Sequence, residues 1–448
     1  MIPSARSILI ALFVACACGS HAEELVIGGE VSVRLSATVS PRLEERVLPS
    51  VVSEYTSIAS AFGESVELRA SLNARNETAH PAQGVTSESS VGLEELHLSA
   101  TIGPRLTLDA GLFPYRMGSA LLLSPNDLFS ALSFSDIVSG NLSGPAAKHV
   151  LVQATVFVPA GFVTATIAPI PSVPVLVEPD SVWIPRPTQA GTIDDPRFAE
   201  EPLELNDVVA DPTRPIDHPL ERFSAGIVAG VTLGPVDLTA IAYHGVDPTP
   251  VARVRVDVPH VPAESYNLHI APDEAAIDSF GITVDGVAGA LGYHLDAAFV
   301  PNKTLPTTVV DAYSKRTKVV EAPFAAAVAG ATYALDRVPL RVAAEYYHSH
   351  AFLPADTDAE TVLTGPLACD LFLSADYALG ENGDWRPSVA GIVSFDDRSG
   401  AVLANLSYSP SASFETRIQA PLFLGSEESD FGQFRDVAYV TLALTYRF

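Results

Sequence analysis

The sequence predicts an all-β protein: a transmembrane, antiparallel, up-and-down β-barrel of about 18 strands, with 16 strands as the alternative. Three observations predict this fold. Apolar and polar residues alternate with a period of two in many short segments, and the connections between these segments are short and long in turn. After the first 22 residues, no run of 18 apolar residues occurs, which excludes a helical membrane protein.

The composition narrows the possible functions. The 448 residues include 53 Asp and Glu against 26 Lys and Arg, a net charge of −27, which disfavours nucleic acid as a partner. Only 18% of residues are charged and the mean hydropathy is +0.25, so the chain is too apolar to be disordered. Its apolar residues must therefore be buried against protein or lipid.

Residues 1–22 read as a signal peptide, leaving residues 23–448 as a single barrel domain. Arg6 is followed by an apolar run over 7–17, and Ser20-His21-Ala22 offers small residues at a cleavage site. The run is too short to cross ~30 Å of hydrocarbon as a helix. Lipidation of Cys18 after a lipoprotein-type cleavage is the alternative. Cleavage after Ala22 leaves Cys369 as the only cysteine, so no disulfide and no cysteine metal site is expected.

Eighteen segments have the character of barrel strands. The first two are the weakest of them, and without them the count is 16. In the last segment, Leu442, Leu444, Tyr446 and Phe448 share one face, opposite a face that ends in Arg447. The segments are 26–40, 50–61, 65–76, 93–102, 105–115, 148–158, 162–170, 223–233, 236–245, 280–287, 290–300, 323–334, 339–348, 370–379, 386–395, 401–408, 414–422 and 436–448.

The connections predict the orientation of the barrel. Short turns rich in Gly, Pro and Asp alternate with long segments, as periplasmic turns alternate with extracellular loops. Counted back from Phe448, the short turns fall on the periplasmic side, and 396–400 is an exceptional short turn on the outer side. The short turns are 103–104, 159–161, 234–235, 288–289, 335–338 and 380–385, and the long segments are 116–147, 171–222, 246–279, 301–322 and 349–369.

Two long loops carry most of the functional expectations. The loop 172–222 holds eleven acidic residues and nine prolines, which indicates a solvated, extended surface loop, with a cation-attracting mouth as the alternative. The loop 118–143 is mostly apolar and is therefore expected to fold into the lumen. It would narrow the lumen with Asn126, Asp127 and Asp136 as polar lining, or pack on the inner wall without a gating role.

No pattern of catalytic residues stands out. The sequence has no Gly-x-Ser-x-Gly elbow, no phosphate loop and no dinucleotide fingerprint. His348 and His350 alternate at a strand end and could share a metal, but no third ligand is in register. We therefore expect no enzyme activity, no cofactor and no metal.

The C-terminal strand ending on Phe448 resembles the terminal signal of bacterial outer-membrane proteins, which implies recognition by the barrel-assembly machinery. Three further segments resemble a poorly characterised family of large Gram-negative barrels, related to porins and to exporters of hydrophobic compounds. The chain departs from that family at Arg116-Met117-Gly118, where Trp-Gly is expected, and no functional residue carries over. The three segments are Ser124-Pro125-Asn126-Asp127, the run from Pro169-Ile170-Pro171 to Ser181-Val182-Trp183, and the run 243–250 followed by Phe280-Gly281.

These observations predict a bacterial outer-membrane channel for passive diffusion of small solutes. The alternatives are a transporter or exporter of hydrophobic molecules, and a structural or adhesive surface protein that uses the acidic loop. The expected partners are outer-membrane lipid, the barrel-assembly machinery and small solutes, with an oligomer possible.

Overall fold

The computed structural model describes sixteen stretches of the chain. The predicted signal peptide, Cys18, Asp136 and most of the acidic loop 172–222 lie outside them. The described residues are 24–38, 49–63, 65–79, 86–129, 148–170, 192–193, 203–210, 223–248, 251–257, 265–273, 275–311, 314–335, 338–354, 368–380, 383–427 and 429–448.

Within these stretches, eighteen antiparallel strands form the wall of one closed barrel. They are β1 (Glu24–Thr38), β2 (Pro49–Phe62), β3 (Val66–Ala79), β4 (Thr86–Ile102), β5 (Leu106–Pro114), β6 (Lys148–Val158), β7 (Gly161–Ala168), β10 (Ser224–Leu233), β11 (Val236–Val246), β14 (Ala276–Ala288), β15 (Leu291–Asp311), β16 (Ser314–Ala334), β17 (Leu340–Ala351), β18 (Cys369–Tyr377), β19 (Trp385–Ser394), β20 (Gly400–Ser411), β21 (Phe414–Leu424) and β22 (Tyr439–Arg447). Four more strands lie in the connections: β8 (Thr192–Ile193), β9 (Leu203–Ala210), β12 (Val251–Asp257) and β13 (Ser265–Asp273).

The barrel closes between its first and last strands. β1 pairs with β22 from Glu30 opposite Arg447 to Thr38 opposite Tyr439. The register continues past the strand end, because Gly29 and Phe448 exchange both backbone N–H···O hydrogen bonds at 3.0 Å. β1 also pairs with β2 along almost its whole length, so both weakly predicted strands belong to the wall. The barrel prediction and the count of 18 are confirmed, and the alternative of 16 is wrong.

The outer surface of the barrel is apolar. Ile227, Phe280 and Leu422 lie on three different strands, and each is more than half exposed. On β22, Val440, Leu444, Tyr446 and Phe448 are exposed, whereas Tyr439 and Thr441 on the opposite face are buried. A continuous apolar exterior is stable against lipid and not against water, so the wall is a membrane-facing one. Among the described residues, no helix is both long and apolar enough to cross a bilayer.

The two rims of the barrel differ as the sequence predicts. At one rim, tight turns join neighbouring strands, and Gly103, Gly234 and Gly289 in three of these turns have φ between 62° and 64°, which favours glycine. We call this the short-turn rim. At the other rim the connections are longer, apart from the predicted short exception at 396–400 and the connection between β15 and β16. We call it the long-loop rim.

One long connection was predicted wrongly. The segment 301–322, expected to be a loop, is part of the two strands β15 and β16, which run for 21 residues each and pair as far as Asp311 opposite Ser314. The segment is rich in β-branched Thr and Val. These residues favour an extended backbone even where apolar and polar residues do not alternate. The connections 171–222 and 246–279 also contain strands, since β13 pairs with β9 and with β12.

Candidate functional site: loops held inside the barrel

Part of the apolar loop after β5 lies inside the barrel, against its wall. We call its described part, residues 115–129, the inner loop. It runs along the inner wall from β7 to β19 and back to β10, and its backbone binds two acidic side chains that point inward from the wall. A loop buried in this way must satisfy its backbone N–H groups, and carboxylates are the strongest acceptors for them.

Asp296 on β15 is the first anchor and is fully buried. Its carboxylate accepts hydrogen bonds from the backbone N–H groups of Ser119 at 2.9 Å and Ala120 at 3.0 Å. The Ser119 and Ser124 hydroxyls donate to the same carboxylate, at 3.1 and 2.6 Å. One buried charge is therefore compensated by four donors from the loop.

Glu345 on β17 is the second anchor and is 3% exposed. It accepts hydrogen bonds from the backbone N–H groups of Leu121 and Leu122, the latter at 3.0 Å. His294 on β15 is the side-chain partner of Glu345, with its Nε2 atom 2.6 Å from Glu345 Oε1. Breaking one side of such a buried cluster is costly, because it leaves a desolvated charge without its partners.

Two glycines make the close approach possible. Gly118 has φ +88°, and a Cβ there would lie 1.9 Å from Ser124 Oγ and 2.5 Å from the Asp296 carboxylate. On the wall, a Cβ at Gly281 would lie 1.9 Å from Asn126 Oδ1. Loop and wall are therefore fitted to each other on both sides.

Asn126 and Asp127, two of the three predicted constriction residues, hold the loop in place. The predicted turn is present, since the Asp127 N–H donates to the Ser124 carbonyl at 3.1 Å. Asn126 is only 1% exposed, and its Nδ2 donates to the Ile282 carbonyl at 3.1 Å and to Thr283 Oγ1 at 3.3 Å. Asn126 is thus packed into the wall, and it does not face an open lumen.

Asp127 is bound on the loop itself. Its Oδ1 accepts from the Met117 N–H at 3.4 Å, and its Oδ2 lies 3.7 Å from Arg116 Nε. The Arg116 guanidinium also donates to the Ala120 carbonyl at 2.5 Å. The Arg116-Met117-Gly118 segment, where the sequence departs from the resembled family, therefore forms the internal frame of this loop.

A second inward loop was missed from the sequence. The connection between β21 and β22, residues 425–438, folds into the barrel and contains a short 3-10 helix, Gly432–Phe434. Phe431 and Phe434 are fully buried, and Phe431 packs against Ile392 on β19, with Leu122 and Leu123 of the inner loop on the same cluster. The polar run Ser426-Glu427-Glu428 reads as a surface loop, and the two phenylalanines three residues apart were the available signal.

This second loop carries a buried acidic residue, Asp430, whose negative charge is unfavourable. Burial, together with Asp397 and Asp396, raises the pKa of Asp430 to about 7. The Asp430 N–H donates to Asp397 Oδ2 at 2.5 Å, so Asp397 is held close beneath it. The second loop is therefore destabilised by its own negative charge at neutral pH and above.

The opposite part of the lumen has a different character. β1, β3, β4, β21 and β22 carry inward ion pairs whose arginines are nearly half exposed. Arg447 lies 2.7 Å from Glu30 and 3.1 Å from Glu415, and Arg417 lies 2.6 Å from Glu415. Arg69 continues the series with Glu67 at 3.0 Å. We call this surface the ion-pair wall, and its exposed charges indicate a hydrated passage beside the inner loop.

The remaining predicted residues lie elsewhere. His348 and His350 point to the outside of β17, where His348 stacks with Tyr346. In the stretches that the structure covers, no group of three His, Cys, Asp or Glu side chains could hold a metal ion.

No family model matches the sequence, and no curated protein matches it. Solved structures that resemble the chain include OmpF from Salmonella typhi in complex with daunomycin, at 10% identity and a TM-score of 0.44 over 96% of this chain and 99% of that one. OccAB3 from Acinetobacter baumannii aligns at 10% identity with a TM-score of 0.45, covering 94% and 99% of the two chains. A mutant porin from Rh. blastica aligns at 12% identity with a TM-score of 0.37, covering 95% and 100%. The strand pairing itself establishes the fold: a closed, porin-like barrel with 18 antiparallel strands.

Proposed function

We propose that the chain is an outer-membrane channel through which small solutes diffuse passively between the inner loop and the ion-pair wall. A closed wall of 18 strands is wide enough for water unless loops fill it. The observation that carries the proposal is the anchoring of the inner loop by Asp296 and Glu345, opposite a wall of exposed charged side chains. The loop narrows the lumen on one side and leaves a polar surface on the other.

The proposal includes an orientation and an assembly signal. The short-turn rim faces the periplasm, and the long-loop rim faces outward. The outward face of β22 is the surface that the barrel-assembly machinery binds. Its side chains, which point toward lipid, are Leu442, Leu444, Tyr446 and Phe448. The supporting observation is the exposure of Leu444, Tyr446 and Phe448 on the outer face of β22.

Conductance across a planar bilayer tests the channel. The refolded wild-type protein is expected to give discrete current steps. The double variant Asp296→Asn, Glu345→Gln removes both buried charges that hold the inner loop, and it is expected to give larger or noisier steps. Glu427→Gln, an exposed change on the second loop, is the matched control and should behave like the wild type. A folded wild-type protein that gives no steps contradicts the proposal.

A second candidate function, transport of hydrophobic molecules, has one supporting observation. Leu122, Leu123, Ile392 and Phe431 place an apolar cluster inside the lumen. Proteoliposomes separate the two functions, because a passive channel admits small sugars whereas a hydrophobic transporter admits an apolar dye and excludes the sugars.

A further inference from the structure

A cavity lies between the inner loop and the wall formed by β6, β7, β10, β11 and β14. Its volume is about 270 Å³, close to the lower limit of small-molecule sites. Thr239 and Asp285, two residues of its lining, lie toward the ends of β11 and β14 at the short-turn rim. The cavity therefore lies on the side of the inner loop that faces that rim.

The lining of the cavity is divided by chemistry. Phe162, Val228 and Ile241 give an apolar surface, and Gln153 and Thr164 give amide and hydroxyl groups. This combination suits a molecule with an apolar body and a polar head, because a few placed polar groups fix orientation while the apolar wall supplies most of the burial.

One carboxylate lines an end of the cavity, and a second lies beside it on the neighbouring strand. Asp285 on β14 lines it, and Asp237 is the residue directly opposite on β11, so both side chains point into the lumen. Like charges that face each other across a strand pair are destabilising. Among the described residues, neither forms an ion pair with a lysine or arginine. Asp296 adds a third negative charge nearby, while the Ser119 hydroxyl and His294 compensate part of the charge of Asp285. This end of the cavity is a place where a cation is stabilised.

Arg116 also lines the cavity, and its charge is already compensated. It lies 3.7 Å from Asp127 and donates to the Ala120 carbonyl at 2.5 Å. It therefore leaves the negative charge of Asp237 and Asp285 in excess at the other end.

We propose that this cavity binds a small organic cation, with its ammonium group between Asp237 and Asp285 and its apolar body against Phe162, Val228 and Ile241. The inference deepens the channel proposal by naming a class of solute that pauses inside the lumen. It does not require current to flow, because the site is formed by the folded barrel itself.

Calorimetric titration of the detergent-solubilised protein with phenethylammonium tests the proposal. The wild type is expected to bind it, and to bind 3-phenylpropionate, which has the same ring with a carboxylate, at least tenfold more weakly. Asp285→Asn is expected to weaken phenethylammonium binding about tenfold, the size of one charge-assisted hydrogen bond. This variant relieves repulsion opposite Asp237, so folding is expected to survive.

The control is Asp376→Asn, an inward carboxylate on β18 that does not line the cavity. It should bind phenethylammonium like the wild type. Equal binding of the cation and the carboxylate, or equal binding by wild type and Asp285→Asn, overturns the proposal. Because binding is measured without a membrane, a protein that binds the cation and gives no current steps fails as a channel and still holds the site.

Discussion

Single atoms decide where the inner loop can lie. The clearest case is Gly281, whose missing side chain leaves room for the Asn126 amide. The Asn126 Nδ2 then donates hydrogen bonds to the Ile282 carbonyl and the Thr283 hydroxyl. A wall residue with no side chain thus determines the position of a loop residue more than 150 positions away in the sequence.

Gly281→Ala is therefore expected to displace Asn126 and loosen the inner loop. Loss of its two hydrogen bonds should cost roughly 1–3 kcal/mol of loop stability, because the buried amide loses its partners. The measurement is limited proteolysis of the folded protein, which should cut within residues 115–129 faster in the variant. Gly292→Ala on the neighbouring strand is the control, since its nearest atom is 3.8 Å from the added carbon. Equal cleavage of the two variants would show that Asn126 does not hold the loop.

At the scale of one element, the second loop is expected to respond to pH. The pKa of Asp430 is raised to about 7, whereas an unfolded aspartate titrates near 4. Between these values the folded state holds the extra proton, so the contribution of Asp430 to stability falls as pH rises from about 4 to about 7.

Asp430→Asn should remove this penalty. We expect a higher melting temperature than the wild type at pH 8, equivalent to roughly 1–3 kcal/mol, and little difference at pH 4. Thermal unfolding in detergent at both pH values is the measurement. Glu427→Gln, on the same loop but exposed and paired with Arg435, should show no such dependence. If Asp430→Asn stabilises equally at both pH values, charge is not the cause.

The strands were predictable from the sequence, but the acidic side chains that bind the inner loop were not. A two-residue period is visible wherever one face meets lipid, so all eighteen wall strands were predicted. Asp296 and Glu345 look like any inward polar residues, because each of them binds two backbone N–H groups of the inner loop, and backbone groups leave no mark on the sequence. The apolar character of 118–143 led to the prediction that it folds into the lumen, and its described residues 118–129 contact the inner wall. Asn126 was predicted to line the lumen because it is polar, but its side chain binds the wall and holds the loop in place.

At the scale of the whole molecule, closure depends on one seam. Val31 and Tyr446 are paired across it, and directly opposed antiparallel residues have Cα atoms about 4.5–5.5 Å apart, within disulfide range. With all native cysteines replaced, Val31→Cys with Tyr446→Cys should form a disulfide that keeps the unfolded chain circular in a denaturing gel. Val31→Cys with Val440→Cys is the control, because Val440 is paired with Ala37. Equal cross-linking in both variants contradicts this seam.

The long hairpin of β15 and β16 makes the long-loop rim uneven in height. Its 21-residue strands are about 70 Å long at ~3.3 Å per residue, well beyond what a bilayer core of about 30 Å requires even for a tilted strand. The excess extends the wall at one side of the long-loop rim only. In the channel that we propose, this hairpin would shield one side of the entrance, and solutes would enter from the opposite side.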